Sequence, residues 1–231
     1  MKQSLMLAAV TIAAYFLWHT PFLYPLKLLV VFFHESSHAL MTVATQGQVH
    51  ELVINLQQGG HVLSSGGNRF LTLSAGYLGS LLWGITIFML ATHTRLDKAV
   101  MALLALIIFA ISIIFIRDIT TLGFSLITAT AMLLCSIKAS DAVNDFILRL
   151  IGLTNMLYVP MDIYSDTIQR SHLRSDAFML AEEIGGTTLF WGISWLAISA
   201  IAVGFCLFFS LRSAQSEMTN SKQLNAEKLK T

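Results

Sequence analysis

The sequence predicts an all-α polytopic membrane protein with about six or seven transmembrane helices and a small hairpin-like insertion. Three observations carry that prediction. Only 12% of the 231 residues are charged while 55% are hydrophobic, against about 25% charged residues in an ordinary soluble domain. Apolar runs approaching the roughly 20 residues that cross a bilayer recur along the chain, separated by short polar breaks. One of those runs contains His34-Glu35-Ser36-Ser37-His38.

The elements follow in chain order. Residues 5–18 are apolar and are read as a retained membrane helix, with Pro21 and Pro25 as breakers after it. Residues 26–45 form the second predicted span and carry the histidine motif. Residues 46–68 are polar and Gly-rich, with Val49, Leu52, Ile54 and Leu56 nearly alternating and Gly59-Gly60 and Gly66-Gly67 marking turns. That pattern predicts a small hairpin or bent strands. Residues 70–92 return to helix, and Gly76 and Gly79 share a face that permits close contact with another helix. Residues 99–116 and 119–137 are further spans joined tightly at Arg117-Asp118. Residues 142–159 are apolar but interrupted by Asn144, Asp145, Arg149 and Asn155. A polar segment, 160–183, precedes the last span, 187–211. Residues 1–211 thus read as a single membrane-embedded domain and 212–231 as a flexible polar tail.

Charge and cysteines exclude several functions. A formal net charge of +1, with no Lys/Arg-rich run, argues against nucleic-acid binding. Both cysteines, Cys135 and Cys206, lie in apolar segments, which favours buried thiols over a disulfide framework. Lys and Arg are scattered too evenly for charge bias to set an orientation. The expected partners are the lipid bilayer and a membrane protein or peptide substrate, and the expected location is a cell (inner) membrane.

The motif carries the chemistry. His34 and His38 lie four residues apart, so on a helix both imidazoles point from one face toward one ion. Neutral imidazole is a good zinc ligand. Glu35, on the adjacent flank, is placed to act as general base on a zinc-activated water. An HExxH string also occurs by chance in soluble helices. Here three ionisable groups interrupt an apolar helix, each costing at least about 2.5–3.5 kcal/mol on insertion scales, and such residues are functional by default.

A catalytic zinc commonly takes three protein ligands, so a third is needed. The metzincin extension is absent, because Ala39, Leu40 and Met41 follow His38 with no histidine at the required spacing. Glu51 and Asp118 are available carboxylates, with a solvated hairpin residue and a helix cap as their ordinary roles. Asp162 and Asp166 follow an apolar stretch and Pro160, at a spacing that puts both on one helical face. Asp176 lies in the polar segment.

The sequence resembles the site-2 protease family of intramembrane zinc metalloproteases, in its peptidase M50B-like branch. The resemblance rests on His34-Glu35-Ser36-Ser37-His38-Ala39-Leu40, the Gly-rich segment to Gly67, Arg69-Phe70, and Ala75-Gly76-Tyr77-Leu78-Gly79. Further along it rests on residues 158–162, Ser175-Asp176-Ala177 and Trp191. It implies an intramembrane peptidase whose third zinc ligand is an aspartate on a later helix. The Asn/Leu-Asp-Gly type motif common in that family is absent, so position and resemblance together select Asp162, with Asp166 and Asp176 behind it. Two other readings are a membrane protein that keeps a structural or vestigial zinc site and binds client proteins, and a transporter with an ion-binding cluster. No duplicated halves support the transporter.

Overall fold

The structure is a computed structural model that describes residues 20–228. The helix expected over 5–18 lies outside the described residues. Seven α-helices and one two-stranded antiparallel sheet follow. A short 3-10 turn, Pro21–Leu23, leads into α1, Tyr24–Ala44, with Pro25 in its first turn, where a missing N–H costs nothing.

The hairpin comes next, as its pattern predicts. Strand β1, Gln48–Ile54, pairs with β2, Gly60–Ser65, and the register shifts between Val49 and Glu51. One extra residue there changes the phase of the pleat, which is why Val49, Leu52 and Ile54 share a side despite their uneven spacing. Leu52 and Ile54 are buried and Val49 packs against the same core, whereas Leu56 in the turn is exposed. The outer edge of β1 is tied down: Leu52 bridges Ile116, Ile54 N–H donates to Thr121 Oγ1 at 2.9 Å, and Thr121 Oγ1 donates back to Ile54 O at 3.1 Å. Among the described residues, no strand pairs with the outer edge of β2.

Helix α2, Arg69–His93, starts at Asn68, whose side chain accepts from Leu71 N–H. Helices α3, Asp97–Phe115, and α4, Ile119–Lys138, pack as an antiparallel pair, and Asp118 caps α4 by accepting from Thr121 N–H at 2.7 Å. Helix α5, Asp141–Tyr164, runs through Pro160 and ends in a π turn, Ser165–Gln169. Its polar interruptions face protein. Asn144 and Asn155 are fully buried, and Arg149 pairs with Asp145 at 2.5 Å while donating to Ala91 O at 2.9 Å. Helix α6, Asp176–Ile184, is capped by Ser175, and α7 runs from Thr188 to Lys228, so backbone helix continues into the polar tail.

Five helices among the described residues are long and apolar enough to cross a membrane: α2, α3, α4, α5 with its π turn, and the apolar part of α7. At 21 residues α1 has the length, but its polar motif lowers its apolar average and it falls outside the five.

Helices α2 and α5 cross backbone to backbone at a glycine pair. A Cβ on Gly84 would stand 3.0 Å from Gly152 O, and one on Gly152 would stand 2.8 Å from Gly84 O. The face bearing Gly76 and Gly79 meets α1, where a Cβ on Gly79 would come within 2.5 Å of Ser37 Cβ. Two cores result. One surrounds Phe32, Phe33, Leu52 and Ile108; the other joins Tyr77, Met156, Ile163, Leu180 and Trp195. Cys206 is buried, Cys135 partly so, and both are free thiols.

Candidate metal centre

Helix periodicity brings His34 and His38 to one face of α1, and α2 fixes them from the other side. His38 Nδ1 lies 2.7 Å from Thr72 O. A carbonyl only accepts, so Nδ1 carries the proton and Nε2 of the neutral ring keeps its lone pair. This backbone contact sets the tautomer that ligation requires. His34 is held by an aromatic wall, its ring 4.9 Å from that of Tyr77 at 80°. Tyr77 is itself buried, and its hydroxyl donates to Asp166 Oδ2 at 2.7 Å, with Arg170 on the other oxygen of Asp166 at 2.6 Å.

Glycine makes room for the pair. A Cβ on Gly76 would stand 2.5 Å from His34 Nε2 and 2.6 Å from His38 Cε1. No residue with a side chain fits there without displacing the imidazoles.

The carboxylate that meets them is Asp176. Its Oδ2 lies 3.1 Å from His34 Nε2 and 3.1 Å from His38 Nε2, and the two Nε2 atoms are 3.0 Å apart. These three residues form the one group among the described residues whose donor atoms converge in a way that could hold a metal. Three donors around one tetrahedral zinc, with bonds of about 2.0–2.1 Å, stand roughly 3.3 Å apart. The triangle, its N/N/O chemistry and the tautomer of His38 therefore fit zinc. Burial alone would raise the Asp176 carboxyl, but the two imidazoles against it hold it well below the usual carboxylate range.

The expectation that Asp162 would be the carboxylate nearest the imidazoles is corrected here. The sequence argument required the third group to lie at the depth of His34 on a continuous apolar approach, and it set Asp176 aside as a residue of a polar loop. The chain reaches the site differently. Ser175 caps a nine-residue helix, Ala177 and Leu180 are fully buried against the second core, and Arg69 pairs with Glu183 at 2.9 Å. Helix α6 is thereby pinned along the start of α2, and its first residue points at the histidines. The local signal was Ser175-Asp176-Ala177 with Leu180, a cap followed by a short apolar face.

Glu35 is buried and lines the same cavity, of about 540 Å³. A Cβ on Gly60 would stand 2.7 Å from both Cγ and Oε1 of Glu35, so β2 passes directly over the carboxylate. Gly60, His61, Val62 and Ser64 of β2 line the cavity, as do Tyr158, Asp162 and Asp166. Glu51 and Asp118 are not among its lining residues.

The structure thus combines five helices long and apolar enough to cross a membrane with a His34/His38/Asp176 cluster that could hold a metal. The chain belongs to the Peptidase M50B-like family, which it matches over residues 7–206. No curated protein and no solved structure matches it.

Proposed function

We propose that the protein is a zinc-dependent intramembrane endopeptidase that hydrolyses a peptide bond in or near a cell membrane, with α1 as a sixth span. The observation that carries this reading is the His34/His38/Asp176 triangle with Glu35 buried in the same cavity. Three protein donors leave a position for water, whereas a structural zinc site is closed by four. A structural site also has no use for Glu35.

His34, His38 and Asp176 would hold the ion. Bound zinc supplies Lewis acidity, lowering the pKa of a water to about 7 and polarising the scissile carbonyl. With the ion held, Glu35 is placed to act as the general base, and it would take a proton from the attacking water and return it to the leaving amine. A transmembrane substrate must be unwound first, because helical backbone groups are already paired. The open edge of β2, running over Glu35, suits an extended segment held by strand addition.

The test co-reconstitutes the purified protein with single-span membrane peptides in liposomes, reads cleavage by mass spectrometry, and measures zinc by elemental analysis. Glu35→Gln is expected to keep zinc and lose cleavage, since an amide cannot accept the proton. Cleavage undiminished in that variant would falsify the proposal.

A further inference from the structure

Asp162 remains without a role once Asp176 takes the place beside the histidines, and its surroundings assign it one. It lies near the end of the span formed by α5 and its π turn, where an ionisable side chain is functional by default. It lines the metal cavity and is within electrostatic reach of His34, Asp166, Arg170 and Asp176. Every other aspartate around that cavity is engaged. Asp176 meets the two histidines. Asp166 accepts from Tyr77 and pairs with Arg170. Among the described residues, no hydrogen bond or ion pair holds the Asp162 carboxylate, although its backbone carbonyl accepts from Ser165 N–H. Of the three arginines lining the cavity, Arg170 is taken by Asp166 and Arg69 by Glu183, and among the described residues Arg174 forms no ion pair with Asp162. A part-buried carboxylate that lines the cavity with no ion pair of its own is open to an external cation.

We infer that Asp162 is a specificity-determining residue that binds a basic side chain, lysine or arginine, of the substrate beside the scissile bond. The chemistry suits the proposed substrate class, because Lys and Arg flank membrane spans and their long stems let the charged head reach back toward a polar site. The inference rests on the metal-centre reading above.

The test uses N-acetylated peptide hydroxamates, in which the hydroxamate chelates zinc and the adjacent side chain is lysine, norleucine or glutamate. Acetylation removes the α-ammonium as a competing cation. Affinities are measured on the zinc-loaded full chain in detergent. A charge-assisted contact in a partly screened site predicts that the lysine compound binds about 10-fold tighter than its norleucine isostere, and the glutamate compound weakest. Asp162→Asn should hold its zinc and bind the three compounds alike, while Asp162→Glu restores the lysine preference. Absence of any preference in the native chain, or its persistence in Asp162→Asn, overturns the inference and leaves the metal centre standing. Loss of zinc from Asp162→Asn overturns it by making Asp162 a ligand. Failure of all three hydroxamates to bind sinks the metal-centre reading, and this one with it.

Discussion

Helices α1 and α2 differ from α3 and α4 in a way that reverses the ordinary link between hydrophobicity and burial. Helix α3 is the most apolar of the five candidate spans, yet most of it faces outward, and α4 is more exposed still. Ile119, Ile127 and Ile137 of α4 are 83%, 72% and 69% exposed. The least apolar spans, α2 and α5, are half buried. Helix α1 falls outside the five, and nearly every residue from Lys27 to Ala39 is buried. In water, apolar residues are driven inward. With lipid as the solvent, the apolar helix is the one that can stand outside, and polar chemistry must be surrounded by protein. The protein thus keeps its polar motif on the helix that composition makes least membrane-like, and surrounds it with the rest.

The largest effects should come from breaking the triangle that this inner region builds. Replacing His34 and His38 together by Ala, or Asp176 by Ala, removes ligands outright. The loss should exceed the roughly 10- to 100-fold affinity cost of disturbing a mere supporting group, so stoichiometric zinc should be gone after detergent purification. Zinc retained at one per chain in Asp176→Ala would return the third-ligand question to Asp162.

What was legible in the sequence follows the same division. His34, Glu35 and His38 were legible because their spacing is local and their polarity stands out against an apolar helix. The hairpin was legible from Gly59-Gly60 and near-alternation, with the uneven step from Val49 to Leu52 explained by the shifted register. Gly76 and Gly79 were legible as a contact face. Their partners, the His34/His38 pair and Ser37, were not, because no pattern says which helix a small face meets. Asp176 was the harder loss. Its role depends on a nine-residue helix between spans folding back along α2, and the pinning contacts from Arg69 and Leu180 join positions more than a hundred residues apart. The backbone of Thr72, which orients His38, leaves no sequence signal at all, since any residue supplies a carbonyl.

A sharper probe of the comparison is a single methyl placed on the inner helix. In Gly76→Ala the new carbon would lie 2.5 Å from His34 Nε2, so α2 and the imidazoles must separate. Overpacking of this kind costs about 1–3 kcal/mol. The unfolding temperature should fall by several degrees, and zinc content with it. Native zinc binding in Gly76→Ala would mean that α2 does not approach the histidines as closely as the fold requires.

The smallest effect, and the one that tests the outer helices, is the same substitution at Gly123 of α4. An added Cβ there meets nothing within 4 Å, and the residue lies in ordinary helical backbone, without the positive φ seen at Gly66 or Gly185. Alanine forms helix better than glycine, by up to about 1 kcal/mol in water, and at Gly123 no steric term opposes that gain. Gly123→Ala should therefore raise the unfolding temperature slightly and leave zinc content unchanged, opposite in sign to Gly76→Ala. Gly204 in α7 is equally open and should behave alike. Destabilisation by Gly123→Ala in detergent would place a packed surface against α4, and a crosslinking experiment from that face would identify whether a second copy of the chain supplies it. The division into a buried inner pair and an outward-facing outer pair would then hold for α3 and fail for α4.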